Sequence, residues 1–455
     1  MFSMSCIEGN RSNIKGEAKN DKVNEIFLSE PESGIPLIQI TLALAEAMDL
    51  MNAAVVNHQK QVSYIAGCLA ESLGLSTSDS THIIWAGLLH DSGAFSLRER
   101  LEALEFELTD PEYHAEVGYR LIKRFRPLSE AASLIRHHHL LWRDGCGSEC
   151  DGKQVPLGSH ILHLADRAAV LIGRNAKSPV EINSIVARIE KQAGLMFMPE
   201  LVEAFVNLAG RDSFWDECTS RSIHQILLRK AGLSVVKVDW DGIQDLSMLF
   251  CRLIDFRSPW TATHSRTVAD CADALAMLTG FPEHTRRMIK IAGYLHDLGK
   301  LAIPLEILEK PAKLTREEFE IVKLHPFHTF SVLSGISGFD EVRYWAALHH
   351  ESPDGTGYPL GNQAPVLPME ARILTLADVF SALSENRPYR VRMTRQEILG
   401  QIRDMAKSGH LDPELVACLA NNLDYVDHVR AAAQCRAMQE YRDDFAKERP
   451  TRRVC

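Results

Sequence analysis

Apolar residues recur at three- and four-residue intervals over Ile38–Leu50, Val62–Leu73, Met248–Phe256, Val268–Leu278 and Ala371–Leu383. That is the period of helices with one buried face. Period-two alternation is scarce; Leu233–Val238 is the best strand candidate, and it sits where a linker would fall. Residues 1–34 read as a flexible tail that ends in the breaker-rich run SEPESGIP. The pattern predicts an all-α fold.

The helical pattern repeats. With His58 placed on His264, Asp49 falls on Asp255, Val62 on Val268, Ala66 on Ala272, Leu69 on Leu275 and Gly74 on Gly280. Ala86-Gly87 then falls on Ala292-Gly293 and His90-Asp91 on His296-Asp297, with the same interval of 32 residues from the first histidine in each copy. Further on, GLMFMPELVEAFVNLA (194–209) echoes GHLDPELVACLANN (409–422). Shared His-Asp pairs and glycines at fixed offsets are not what two unrelated helical domains produce. We therefore expect two tandem copies of one helical domain, 35–232 and 240–430, followed by a charged C-terminal tail, 431–455.

Composition narrows the function classes. The length of 455 residues suits about two to three domains. A net charge of −10 repels phosphate backbones, so no DNA partner is expected, and a small phosphate ligand needs a local basic pocket. The N-terminal residues lack an apolar core for a signal peptide, and no apolar run reaches the ~20 residues that span a membrane. The ten cysteines follow no framework spacing, and Cys68, Cys251, Cys271 and Cys418 sit inside apolar helical patterns. Reduced thiols and a cytoplasmic location are the expectation. Cys146 and Cys150 lie four apart in a Gly-rich loop, a spacing open to a zinc knuckle, but no second pair follows at finger spacing.

The second copy concentrates ligand chemistry: His264, His296-Asp297 in LHDLGK, His325 in KLHPFH, His349-His350 in LHHE and Asp378 in LADVF. Histidine and carboxylate together suit first-row metals such as Fe, Mn or Zn. An aspartate next to a histidine can bridge two ions, and paired ions can clamp a phosphate oxygen.

These residues resemble the HD superfamily of metal-dependent phosphohydrolases, and more narrowly its HD-GYP branch of cyclic dinucleotide phosphodiesterases. The resemblance covers roughly 248–425 and rests on HDLGK (296–300), HHESPDGTGYP (349–359) and ADVFSALSENRPYR (377–390). It implies an all-helical fold, a centre of two or three metal ions, and hydrolysis of cyclic di-GMP. Its metal ligands fall on His264, His296, Asp297, His325, His349, His350 and Asp378. Beside them, Lys300 is a candidate to offset phosphoryl charge, and a helical turn from His296 would put both on one face. Arg387 and Arg390 are candidate forks for phosphate or guanine edges, and Tyr358 offers a ring and a hydroxyl. Two positions depart from the family. Trp260 stands where trinuclear members have an acidic residue, which favours two divalent transition-metal ions, Fe or Mn first, with Zn, Ni or Mg as alternatives. Ser381 replaces a common aspartate.

The first copy keeps His58, His90, Asp91, His114, His138, His139 and Asp166, a second set that can hold metal. It has Ala94 in place of the lysine, no Gly-Tyr-Pro run and no Arg-Pro-Tyr-Arg after Asp166. A regulatory or accessory role, dimerisation, or action on another phosphoester such as the linear product fits this better than cyclic-dinucleotide cleavage. The basic run RLIKRFR (120–126) fits a solvated face.

The expected catalyst is a phosphodiesterase cutting cyclic di-GMP to a linear 5′-phosphorylated dinucleotide and onward to mononucleotides, with Asp297 and Lys300 as catalytic residues and a homodimer left open. Specificity for 3′,3′-cyclic GMP-AMP is the alternative, and a non-cleaving cyclic-nucleotide sensor is the alternative of another class.

Overall fold

The computed structural model describes residues 34–50, 56–94, 106, 112–172, 178–231, 236–258, 260–386 and 391–445. From Ile35 onward the chain forms one compact unit. The fold is all-α as expected; the β-structure among the described residues is two short antiparallel ladders and two isolated bridges. One ladder pairs Ile35–Pro36 with Lys237–Val238, and the other is the Glu149–Cys150/Lys153–Gln154 hairpin.

The two copies use the same sequence of elements. His58–Ser72 matches His264–Leu278, Thr77–Leu89 matches Glu283–Leu295, and Leu157–Ile172 matches Met369–Leu383. The shared glycines have a physical reason. A Cβ on Gly87 would sit 2.6 Å from Ser63 Cα, and one on Gly293 would sit 2.7 Å from Ala269 Cα, so the helix before each His-Asp pair crosses its neighbour too closely for a side chain. Gly93 and Gly299, just after the pairs, are likewise pressed against the carbonyls of His114 and His325.

The copies interlock. Their entry strands pair with each other, and Leu37 N donates to Val236 O. The Leu37–Asp49 helix is apolar on nearly every side, as a fully buried helix must be. It packs on Thr77–Leu89 of its own copy and on Leu298–Ala302 and His325–Leu333 of the other. In return, the Trp240–Asp255 helix packs on Glu283–Leu295 and reaches Glu112–Ile122 of the first copy. One apolar core runs through both halves.

One expectation needs correction. The chain beyond 430 is not a tail from that point: one helix runs from Leu423 to Phe445, with Ala433 and Ala437 buried and Glu440 receiving Arg252 and Arg266. Of the strand expected over Leu233–Val238, Lys237–Val238 forms one, and residues 233–235 lie outside the described residues.

Candidate metal centre

Each copy gathers its histidines and aspartates at one buried point. In the second copy the ring atoms His296 Nε2, His325 Nε2 and His349 Nε2 lie 3.3, 3.4 and 3.9 Å from Asp297 carboxylate oxygens. His264 Nε2 is 3.1 Å from Asp378 Oδ1, and His350 Nδ1 is 3.9 Å from Asp378 Oδ2. Two triads result, His264/His296/Asp378 and His325/His349/His350, each with ligand atoms within 4.8 Å of one another. Asp297 lies between them.

The backbone aims these rings. His296, His325 and His349 each donate Nδ1–H to the carbonyl three residues earlier, at Gly293, Val322 and Ala346, over 2.7, 2.7 and 2.6 Å. This fixes the tautomer and leaves the Nε2 lone pair facing inward. His264 is held differently: Glu385 Oε2 accepts from its Nδ1 at 3.1 Å, while Glu385 Oε1 accepts from Thr263. Sequence reasoning missed Glu385. Its only signal was a spacing of seven residues from Asp378, two helical turns onward.

The donor set fits divalent cations. His325 Nε2 and His349 Nε2 face each other at 3.2 Å, yet in the tautomer their Nδ1 bonds require neither carries a proton. Two lone pairs so placed repel unless a cation stands between them. His296 Nε2 and Asp297 Oδ1 are buried without a hydrogen-bond partner, which is costly in a protein interior. Burial drives the imidazoles of His325 and His349 well below their usual pKa and His350 down to about 3, so all three are neutral near pH 7. Burial alone would raise Asp297, but His296 and Lys300 hold it well below the usual carboxylate range.

The surroundings place the other expected residues. Lys300 does not stand beside His296 on one helical face. The chain turns into a short 3₁₀ segment at Leu298–Ala302, and Lys300 Nζ reaches Asp297 Oδ2 at 2.6 Å. Tyr358 lays its ring against His350, with centroids 4.8 Å apart. Its loop is pinned by Glu351, a fully buried carboxylate that accepts from the backbone N–H groups of Leu360, Gly361 and Asn362. Arg387 and Arg390 lie outside the described residues. Ser381 is buried next to Cys271. Trp260, at the position linked to a third metal, is 42% exposed.

The first copy repeats the architecture with other neighbours. His114/His138/His139 and His58/His90/Asp166 form its triads. His90 and His138 donate Nδ1–H to Gly87 and Ile135, and His114 Nε2 faces His139 Nε2 at 2.9 Å. His90 Nε2, Asp91 Oδ1, His138 Nε2, His139 Nδ1 and Asp166 Oδ1 are buried without hydrogen-bond partners. Two residues absent from sequence reasoning enter here. Gln59 Nε2 donates to Asp91 Oδ2 at 3.3 Å, and the buried Arg167 guanidinium sits 2.6 Å from Asp166 Oδ2. Of the paired cysteines, Cys146 is exposed and Cys150 buried, and within the basic run Arg120 is engaged by Glu116.

Comparison with known proteins adds ancestry to this geometry. The HD domain family matches residues 248–415, and a second HD domain match covers 55–171. The chain is a tandem HD-domain protein. It is homologous to HD-GYP phosphodiesterases. A 3′3′-cGAMP-specific phosphodiesterase of Vibrio cholerae is 27% identical over 405 residues, spanning 86% of this chain and 93% of that relative. A cyclic di-GMP phosphodiesterase response regulator of Xanthomonas campestris is 40% identical over 171 residues, 37% of this chain and 45% of the relative. The crystal structure of a cyclic GMP-AMP specific phosphodiesterase from V. cholerae superposes over 86% of the HD-domain chain with a TM-score of 0.60 at 23% identity, a likeness of fold. No helix among the described residues is long and apolar enough to cross a membrane.

Proposed function

We propose that the second HD domain is a metal-dependent phosphodiesterase that opens a bacterial cyclic dinucleotide to a linear 5′-phosphorylated product, with cyclic di-GMP as first substrate. The observation that carries this reading is the pair of buried triads about Asp297, with inward lone pairs and a cation, Lys300, at the rim. His264, His296 and Asp378 would hold one divalent ion, His325, His349 and His350 the other, and Asp297 would bridge them. Such ions supply Lewis-acid polarisation of a phosphate and activation of water near neutral pH.

The chain's own groups do the rest. Lys300 presents an ammonium beside the bridging carboxylate, where charge accumulates on phosphoryl oxygens. Glu385 orients His264, as a carboxylate behind a ligating histidine does. Tyr358 braces His350 and offers a ring to the substrate. The buried first triads make the first copy a second candidate metal site, shielded and lacking a lysine.

Specificity for 3′,3′-cyclic GMP-AMP is a second reading, supported by the extent of the match to the V. cholerae relative, which spans 86% of this chain. Incubating protein loaded anaerobically with Fe or Mn with both dinucleotides, then separating the products by chromatography, tests the proposal. Linear dinucleotide from either substrate is expected; intact substrate in every metal condition contradicts it.

A further inference from the structure

The two centres differ by one buried charge. In the first copy Arg167 follows Asp166 on the Leu157–Ile172 helix, 1% exposed, and its Nη2 donates to Asp166 Oδ2 at 2.6 Å. In the second copy Val379 follows Asp378, and Asp378 Oδ2 faces His350 Nδ1 at 3.9 Å. The matching edge of Asp166 faces His139 Nδ1 at 3.8 Å. The guanidinium therefore lies on the carboxylate edge that turns toward the His114/His138/His139 triad. Burial lowers the imidazoles of His114, His139 and His163, and the Arg167 charge adds to that in each. The other oxygen, Asp166 Oδ1, points at the remaining triad, 3.3 Å from His58 Nε2 and 3.7 Å from His90 Nε2.

We infer that Arg167 stands in for one metal ion, so that the first centre holds a single divalent ion, on His58, His90 and Asp166, where the second holds two. The inference rests on reading both clusters as metal sites. Its ground is electrostatic. Each cluster offers two aspartates, Asp91 and Asp166 in one and Asp297 and Asp378 in the other. A guanidinium buried beside the His114 triad repels a dication there, and it has already taken the carboxylate edge that would help to hold one. Lys300 imposes no such bar in the second centre, because its side chain is 21% exposed and solvent screens its charge. The consequence is chemical. Clamping a phosphate between two ions needs a pair, and the first copy keeps a site for one ion without that clamp.

The test uses full-length protein loaded anaerobically with Mn(II), freed of excess metal, and read by elemental analysis and electron paramagnetic resonance. The parent should carry about three ions per chain, seen as one exchange-coupled pair and one isolated ion. His90→Ala/Asp91→Ala should remove the isolated signal and leave the pair. Arg167→Val, which copies the second centre, should add about one ion per chain and turn the isolated signal into a second coupled pair. Should Arg167→Val not fold, for want of a counter-charge to buried Asp166, the parent's spectrum decides alone. Two coupled pairs and no isolated ion in the parent overturn the inference and leave the first copy a metal site. Folded Arg167→Val protein with unchanged metal content overturns it too. A parent with one pair, and no metal that His90→Ala/Asp91→Ala removes, overturns the first copy as a metal site as well. Each of these outcomes leaves the phosphodiesterase reading of the second domain standing; a parent that forms no coupled pair contradicts the two-ion centre on which that reading depends.

Discussion

In the second centre Lys300 Nζ lies 2.6 Å from Asp297 Oδ2; in the first, the matching Asp91 Oδ2 receives the neutral Gln59 amide at 3.3 Å, and a buried Ala94 fills the lysine's position. In the second, the His350 and Asp378 side chains are 26% and 13% exposed; in the first, their counterparts His139 and Asp166 are 3% and 2% exposed. The residue after the last aspartate is Val379 in one and Arg167 in the other, and the Arg167 guanidinium already neutralises Asp166. The ligand frameworks are nearly superimposable in sequence offset. What differs is access and the group beside the central aspartate, the Lys300 ammonium in the second copy and the neutral Gln59 amide in the first. A metal pair that cannot position a substrate forfeits the proximity and orientation term, worth several kcal/mol of barrier.

The comparison can be broken most sharply at the two His-Asp pairs. His296→Ala/Asp297→Ala should abolish cyclic-dinucleotide cleavage in a product assay, because it removes the carboxylate that would bridge the two ions. Lys300→Ala should lower kcat by about 10²–10³ while elemental analysis shows the metal content unchanged, the usual loss for one preorganised charge contact. Retention of full activity would remove Lys300 from its assigned role. Glu385→Gln should weaken metal affinity at the His264 triad by about 10–100-fold, measured by competition with a chelator, since it loosens the group behind a ligand. Leu42→Ala, at a fully buried position in the helix that joins the copies, should cost about 2–5 kcal/mol in denaturant unfolding.

The repeat and both histidine/aspartate clusters were legible in the sequence because one offset aligned histidines, aspartates and glycines at once. The glycines were more than decoration, as Gly87 and Gly293 permit the same helix crossing. Lys300 was legible as a residue but not as a contact. The expectation assumed a continuous helix from His296, and the 3₁₀ turn at Leu298 redirects the side chain to Asp297. Glu385 and Gln59 were missed because their roles depend on tertiary approach, from a helix end and from a neighbouring helix. The charged composition after 430 hid a helix whose few buried alanines are enough to dock it. The interlocking of the copies left a single sign, the unbroken apolar character of Leu37–Asp49.

The central claim is that both centres are built for metal and only the second cleaves. It is tested most directly by measuring metal content and dinucleotide turnover on one preparation of His90→Ala/Asp91→Ala protein, beside the parent. The account predicts that metal per chain falls while turnover stays within about tenfold, a barrier change of ~1.4 kcal/mol or less. Turnover that disappears with this pair, and survives His296→Ala/Asp297→Ala, would contradict it and move the active centre to the first copy.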